Sequence, residues 1–156
     1  MIGSLDQADM EQILRRQRMG RLGVVGGEEV YIFPVAYGYD GTAVYVQSHA
    51  GRFGGLKVEL MRAHPQVCLE VEDIVSPMHW RTVLAHGRFE ELADPAARDA
   101  ALAVIVAQGE ESAPPSIAPY VGGPEEIVVY RIRLTAMTGR YERDELLAPP
   151  KAARRA

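Results

Sequence analysis

One stretch of this sequence gathers groups that suit an anion. It is Ser48-His49-Ala50-Gly51-Arg52-Phe53-Gly54-Gly55-Leu56-Lys57, which joins a strand to a helix. Free backbone N–H groups at a helix start favour negative charge. Glycines let the chain approach a ligand closely. Arg52 and Lys57 supply two cations and Ser48 a hydroxyl. A phosphate fits this pattern. On these residues alone a flexible loop with solvated charges fits it too. A Walker loop does not, since the Gly-Lys-Ser/Thr run is missing. Lys57 stands out for a second reason: of the 17 basic residues only Lys57 and Lys151 are lysines.

A second group opens a later strand. Trp80-Arg81-Thr82-Val83 offers an indole, a guanidinium and a hydroxyl, able either to contact a planar heterocycle or simply to fill core volume. Among the histidines, His49 lies at the anion segment and His79 beside Trp80 after a loop. Either is placed to line a pocket, whereas His64 and His86 read as structural. No pair has metal-ligand spacing, so no metal site is expected. Glu70 and Glu72 share one face of a strand and read as barrel or interface polar groups. Arg140 is placed to reach a neighbouring site. The set Tyr31, Tyr37, Tyr39 and Tyr45 reads as packing, and Cys68, in Val67-Cys68-Leu69, as a small buried hydrophobe. Gly20-Arg21-Leu22-Gly23-Val24-Val25-Gly26 has the wrong spacing for a dinucleotide fingerprint, and no helix follows it. No Ser-His-Asp or Cys-His set, and hence no catalytic residue, can be assigned.

The elements that position these residues follow from periodicity. Residues 6–18 read as an amphipathic helix with Met10, Ile13 and Leu14 on one face, capped by Asp6 or Ser4 and ended by Gly20. Strands are expected at 21–25, 30–39 and 42–48, with Asp40-Gly41 as a hairpin in which both residues tolerate positive φ. Pro34 cannot donate to a ladder, which places it at an edge, a bulge or a ligand. A second helix runs to about Ala63, with Leu56, Leu60 and Met61 inward, stopped by His64-Pro65. A strand at 66–72, a loop at 73–78 and a long strand at 80–92, bent at Gly87, come next. A third helix starts at Asp94-Pro95. Residues 109–124 read as a long loop, and 127–134 as the last strand. The tight hairpin requires antiparallel pairing. The element order points to a mainly β architecture, a small antiparallel barrel with peripheral helices.

Composition narrows the function. The 156 residues suit one domain, taken as 1–141 with a flexible tail at 142–156. A net charge of −4 argues against general nucleic-acid binding. No apolar run is long enough to span a bilayer, and the N-terminus lacks the pattern of a secretory signal. The single cysteine cannot form an internal disulfide, so a reducing cytoplasm is expected.

Together, Arg21-Leu22-Gly23-Val24-Val25, Ile32-Phe33-Pro34-Val35-Ala36-Tyr37, Asp40 through Ser48, Gly55 through Val67, and Trp80-Arg81-Thr82-Val83 leading to Gly87-Arg88-Phe89-Glu90 carry a resemblance. In order and spacing they resemble the pyridoxamine 5′-phosphate oxidase-like family with its FMN-binding split barrel. The resemblance is nearest to the flavin-nucleotide-binding branch that includes nitroimidazole-resistance proteins. It implies a homodimer with FMN sites at the interface and a small planar substrate, with hydride transfer at flavin N5. Lys57, Arg52, Gly54 and Gly55 would hold the phosphate. Pro34, Val35, Gln47, Ser48, His49, Trp80 and Thr82 would border the cofactor. Two departures matter. Gln47 stands where that branch commonly has histidine, so nitro-drug reduction does not transfer. The C-terminal extension of the true oxidases has no counterpart, so vitamin B6 oxidation is not implied. Relatives that use the deazaflavin F420 or bind heme leave two alternatives. One is an F420-dependent reductase. The other is a non-catalytic flavin or heme protein with His49 or His79 as ligand.

Overall fold

The computed structural model describes residues 1–49, 55–110 and 127–144, apart from the side chains of His49 and Glu110. The elements are β1 (Ile2–Ser4), α1 (Gln7–Arg16), β2 (Met19–Gly26), β3 (Glu29–Ala36), β4 (Gly38–Tyr39), β5 (Ala43–His49), α2 (Gly55–Ala63), β6 (Gln66–Ser76), β7 (His79–Glu91), α3 (Pro95–Glu110) and β8 (Ile127–Glu142). The strands form one sheet in the order β3-β2-β6-β7-β8-β5-β4, with β1 also on β8. Every pairing is antiparallel. The two ends of this path, β3 and β4, are consecutive in the chain and separated only by Tyr37. The sheet therefore curls into the expected antiparallel barrel with helices at its periphery.

Alternation decides which face is enclosed. Leu22, Val24, Val44, Val46, Leu69, Val71, Val83, Ala85, Tyr130 and Ile132 are buried against Ile13 and Leu14 of α1 and Val58 and Met61 of α2. The third helix covers the opposite side of β8, where Val129 meets Leu92 and Ala101. Gln108, near the end of α3, ties the layers together. Its Nε2 donates to the carbonyls of Leu14 (2.8 Å) and Gln17 (2.6 Å), and its Oε1 accepts from the N–H of Tyr39 (2.7 Å).

Several expectations hold in detail. Asp6 caps α1 by accepting from the N–H of Asp9 at 2.8 Å. Pro34 lies on an edge strand, paired on one side only, opposite Arg21. The β7–β8 register shifts between His86 and Gly87, where the bend was expected.

Others are corrected. Gly20 does not end α1. It sits inside β2, where a Cβ would come within 2.7 Å of Leu69 Cδ1 and 2.9 Å of the Glu70 carbonyl oxygen, so only glycine allows this strand contact. Leu56 is exposed, and Val58 and Met61 form the buried face of α2 instead. Residues 73–76 extend β6 because they pair with β7, and only 77–78 remain a turn. Likewise β8 continues past Leu134 to Glu142 because β7 and β1 supply partners. Glu142 therefore belongs to a strand, and the N–H of Arg143 donates to the Met1 carbonyl at 2.9 Å. Of the loop expected at 109–124, Gly109 and Glu110 belong to α3 instead, and the remainder, like residues 145–156, lies outside the described residues.

The Asp40-Gly41 turn forms by a different mechanism from the one expected. Only Gly41 takes positive φ (104°). Asp40 works through its carboxylate, which accepts from the N–H groups of Thr42 and Ala43 and the hydroxyls of Thr42 and Tyr45 at 2.8–2.9 Å. Burial alone would raise its pKa, but these bonds outweigh burial and hold it at about 2.

Two outcomes follow. A Cβ at Gly38 would lie 2.7–2.8 Å from backbone atoms of Val104 and Ile105. Gly38→Ala should therefore push α3 off β4 and cost about 1–3 kcal/mol in denaturant melts, the usual penalty for overpacking. The Asp40 carboxyl sits below its ordinary 3.8 in the folded chain, so its ionised form stabilises the hairpin above that pH. The stability advantage of wild type over Asp40→Asn should be full near neutrality. It should disappear as the pH falls from 3.8 toward about 2, and an advantage that stayed constant over this range would contradict the assignment.

Candidate functional site

Lys57 lies in the first turn of α2, half-buried, with Nζ 5.8 Å from the centroid of the Phe33 ring. That ring stacks on Tyr31 at 6.2 Å with an interplanar angle of 5°. The helix is fixed here by Val58 and Met61, which the barrel core buries. Burial pushes the Lys57 pKa down. No carboxylate among the described residues pairs with Lys57. Two other partly buried cations, Arg81 and Arg131, pair with Asp73 and with Glu90 (2.6 Å), while Arg18 and Arg98 donate to the carbonyls of Gln108 (2.6 Å) and Ile127 (3.3 Å). An ammonium half out of water at a helix start, with no carboxylate among the described residues, has the chemistry to accept an anion. The candidate partners Arg52 and Gly54 lie outside the described residues, while Gly55 begins the helix.

Strand register brings a second set together on the outward face of the barrel. Pro34 is opposite Arg21, Arg21 opposite Glu70, and Glu72 opposite Thr82. Thr82 Oγ1 donates to Glu70 Oε1 at 3.0 Å. Arg21 bridges Glu70 at 3.7 Å and also pairs with Glu72. Two strand positions along, on the same face, Trp80 donates its indole N–H to Glu142 at 3.0 Å. Pro34, Thr82 and Trp80 thus share a face. Val35 does not: its side chain is buried in the core, leaving only its backbone at the edge. Arg140 is opposite Thr82 and donates to Ser4.

On β5, Gln47 is exposed and Ser48 buried. Ser48 Oγ lies 3.3 Å from the hydroxyl of Tyr130, a residue the sequence reading placed only in an alternating strand. The His49 side chain is outside the described set. His79 lines a cleft of about 330 Å³ with Asp73, Arg81 and Tyr141, at the turn end of the β6–β7 hairpin.

Cys68 is corrected. It is half-buried rather than core, on the outward face, with Sγ 3.9 Å from His86 Nε2. It lines a depression of about 290 Å³ with Gly23, Val25 and Val30. Burial and the Glu70 charge push its thiol pKa up. Among the described residues no group of three or more His, Cys, Asp or Glu is placed to hold a metal. No described helix is long and apolar enough to cross a membrane.

Arg21 and Tyr130 are neighbours that no local sequence signal assigned to the site. Their strand positions were readable, but which strand would lie opposite each of them was not.

Comparison with known proteins places this geometry. An uncharacterised protein of Rhizobium meliloti is 26% identical over 88 residues, covering 56% of this chain and 56% of that protein, so the match spans little more than half of the relative's length. An FAD-binding protein from Mesorhizobium loti is 26% identical and superposes with a TM-score of 0.72, covering 92% of this chain and 99% of that one. A putative 5-nitroimidazole antibiotic resistance protein from Bacteroides thetaiotaomicron shares the fold at 16% identity and TM-score 0.70, covering 90% and 87%. An F420 reductase shares it at 20% identity and TM-score 0.59, covering 81% and 94%. The family model described as pyridoxamine 5′-phosphate oxidase matches residues 6–141, from the cap of α1 to the penultimate residue of β8. With barrel, strand order and sequence model in agreement, the chain belongs to the pyridoxamine 5′-phosphate oxidase family.

Proposed function

We propose that this protein binds FMN between two copies of itself and acts as an oxidoreductase on a small planar substrate. The observation that carries the reading is Lys57, a half-buried cation with no carboxylate partner among the described residues, in the first turn of a helix. Leaving such a charge uncompensated costs stability, and a phosphate would remove that cost. Arg52 and the Gly54-Gly55 backbone are its expected companions. Pro34, Thr82 and Trp80 share the face that would border the ring. Bound flavin would supply hydride transfer at N5. The chain's own part is to hold the phosphate at Lys57, offer Thr82 and the strand edge to the ring, and exclude water with the second copy.

The uncovered outward face supports the pairing of copies. Met19, Val25, Val30, Ile32, Ile74 and Leu84 are 40–73% exposed. An apolar area of this extent on a sheet face favours a partner. The cofactor named for the F420 reductase relative also carries phosphate, so Lys57 would serve it equally, and the ring contacts would decide between the two.

The first test is an absorption spectrum of the purified protein after addition of FMN and removal of excess. A retained, perturbed flavin band is expected, lost or weakened at least about 10-fold in affinity in Lys57→Ala, the scale of one charge-assisted contact. Full-strength FMN binding by Lys57→Ala would remove the phosphate assignment, and tighter binding of F420 than FMN would replace the cofactor. For the pairing, sedimentation should show wild type as a dimer and Ile32→Glu as a monomer that retains little FMN. An Ile32→Glu dimer would move the interface elsewhere.

A further inference from the structure

Two hydroxyls meet inside the barrel with one hydrogen bond between them. Ser48, 6% exposed, and Tyr130, fully buried, approach at 3.3 Å. The pair has two O–H protons, and among the described residues neither side chain makes another hydrogen bond. One proton is therefore left without an acceptor among those residues, which buried polar groups seldom tolerate.

The surroundings decide which proton is left over. Tyr130 sits in the apolar core, with the Phe89 ring 5.1 Å away and Ile132 and Val46 among the same cluster. If Ser48 donated, the phenolic proton would point into that core with no partner. If Tyr130 donates, the Ser48 proton is the free one. Ser48 is the less enclosed of the two and stands one residue before the end of β5, where the chain leaves the sheet toward α2. Only the second arrangement can be completed by a ligand.

We infer that Tyr130 is a positioning residue which donates to Ser48 and so aims the Ser48 hydroxyl as a donor at an oxygen of the bound ligand. This rests on the cofactor reading above and adds a residue to that site. The acceptor would be a phosphate oxygen or an oxygen of the ribityl chain or ring. All three are oxygen acceptors, and the ligand series below separates phosphate from the rest.

The test measures binding of FMN and of riboflavin, which lacks the phosphate, to wild type, Tyr130→Phe, Ser48→Ala and the double variant. Tyr130→Phe removes one oxygen and keeps the ring that packs on Phe89, and a melt of each variant checks the fold. Each single change should weaken FMN binding about 5- to 10-fold, the usual scale of one hydrogen bond. The double variant should be no weaker than Ser48→Ala, because the two residues act as one donor. Ser48→Thr should restore binding. A loss confined to FMN places the acceptor on the phosphate, and an equal loss for riboflavin places it on the ribityl chain or ring. A Tyr130→Phe variant that melts earlier but binds FMN as wild type does, or effects that add in the double variant, would overturn the inference while leaving the cofactor reading intact. Wild type that takes up neither flavin overturns both.

Discussion

The pairing of β8 is the constraint on which the rest of the molecule depends. This 16-residue strand bonds to β5 over residues 127–133, to β7 from 130 onward and to β1 at its end. Because side chains alternate, a slip of one residue would expel Tyr130 and Ile132 from the core and drive Val129 out from under α3. The candidate site shares this dependence. Ser48 is opposite Val128, Thr82 opposite Arg140 and Trp80 opposite Glu142. A single strand therefore sets the depth and facing of groups drawn from β5 and β7.

Polar satisfaction is uneven across the chain, and the unevenness has a place. Glu90 accepts from Arg131 and Arg133, and its carboxyl is held at about 2 by those partners against burial. Arg62 makes a bidentate pair with Glu91 at 2.9 Å. Asp40 fills its oxygens with four donors. The departures are Lys57 and the Ser48–Tyr130 pair, which flank the segment between β5 and α2. Incomplete satisfaction of buried and half-buried groups beside one segment places local cost at a single site, as ligand sites commonly do.

The two faces of the sheet have different fates. Helices α1 and α2 contribute to the enclosed core, and α3 covers the outward side at β5 and β8. The chain places no described helix over the outward side of β3, β2, β6 and β7, where exposed Val and Ile surround the ion-paired row of Arg21, Glu70 and Glu72. Apolar residues around a polar row on one face suit a partner that reads both shape and charge.

The sequence alone determined the local elements. Strong periodicity located the three helices and most strands, Asp6 and Pro65 marked real boundaries, and Pro34 marked an edge. The family pattern identified the barrel and singled out Lys57. These signals lie within a few residues of one another, where propensity, capping and glycine or proline chemistry act. Tertiary structure decided whatever depends on a partner distant in the chain. It extended β6 and β8 through residues of weak alternation, turned Gly20 from a helix stop into a strand contact, and moved Cys68 from the core to a half-buried place on the outward face. It also sent Val35 inward and set Tyr130 against Ser48, 82 residues away. Cross-strand register is a long-range choice made by the packed core as a whole. No window of sequence contains it, and so the residue types of the site were readable while their neighbours were not.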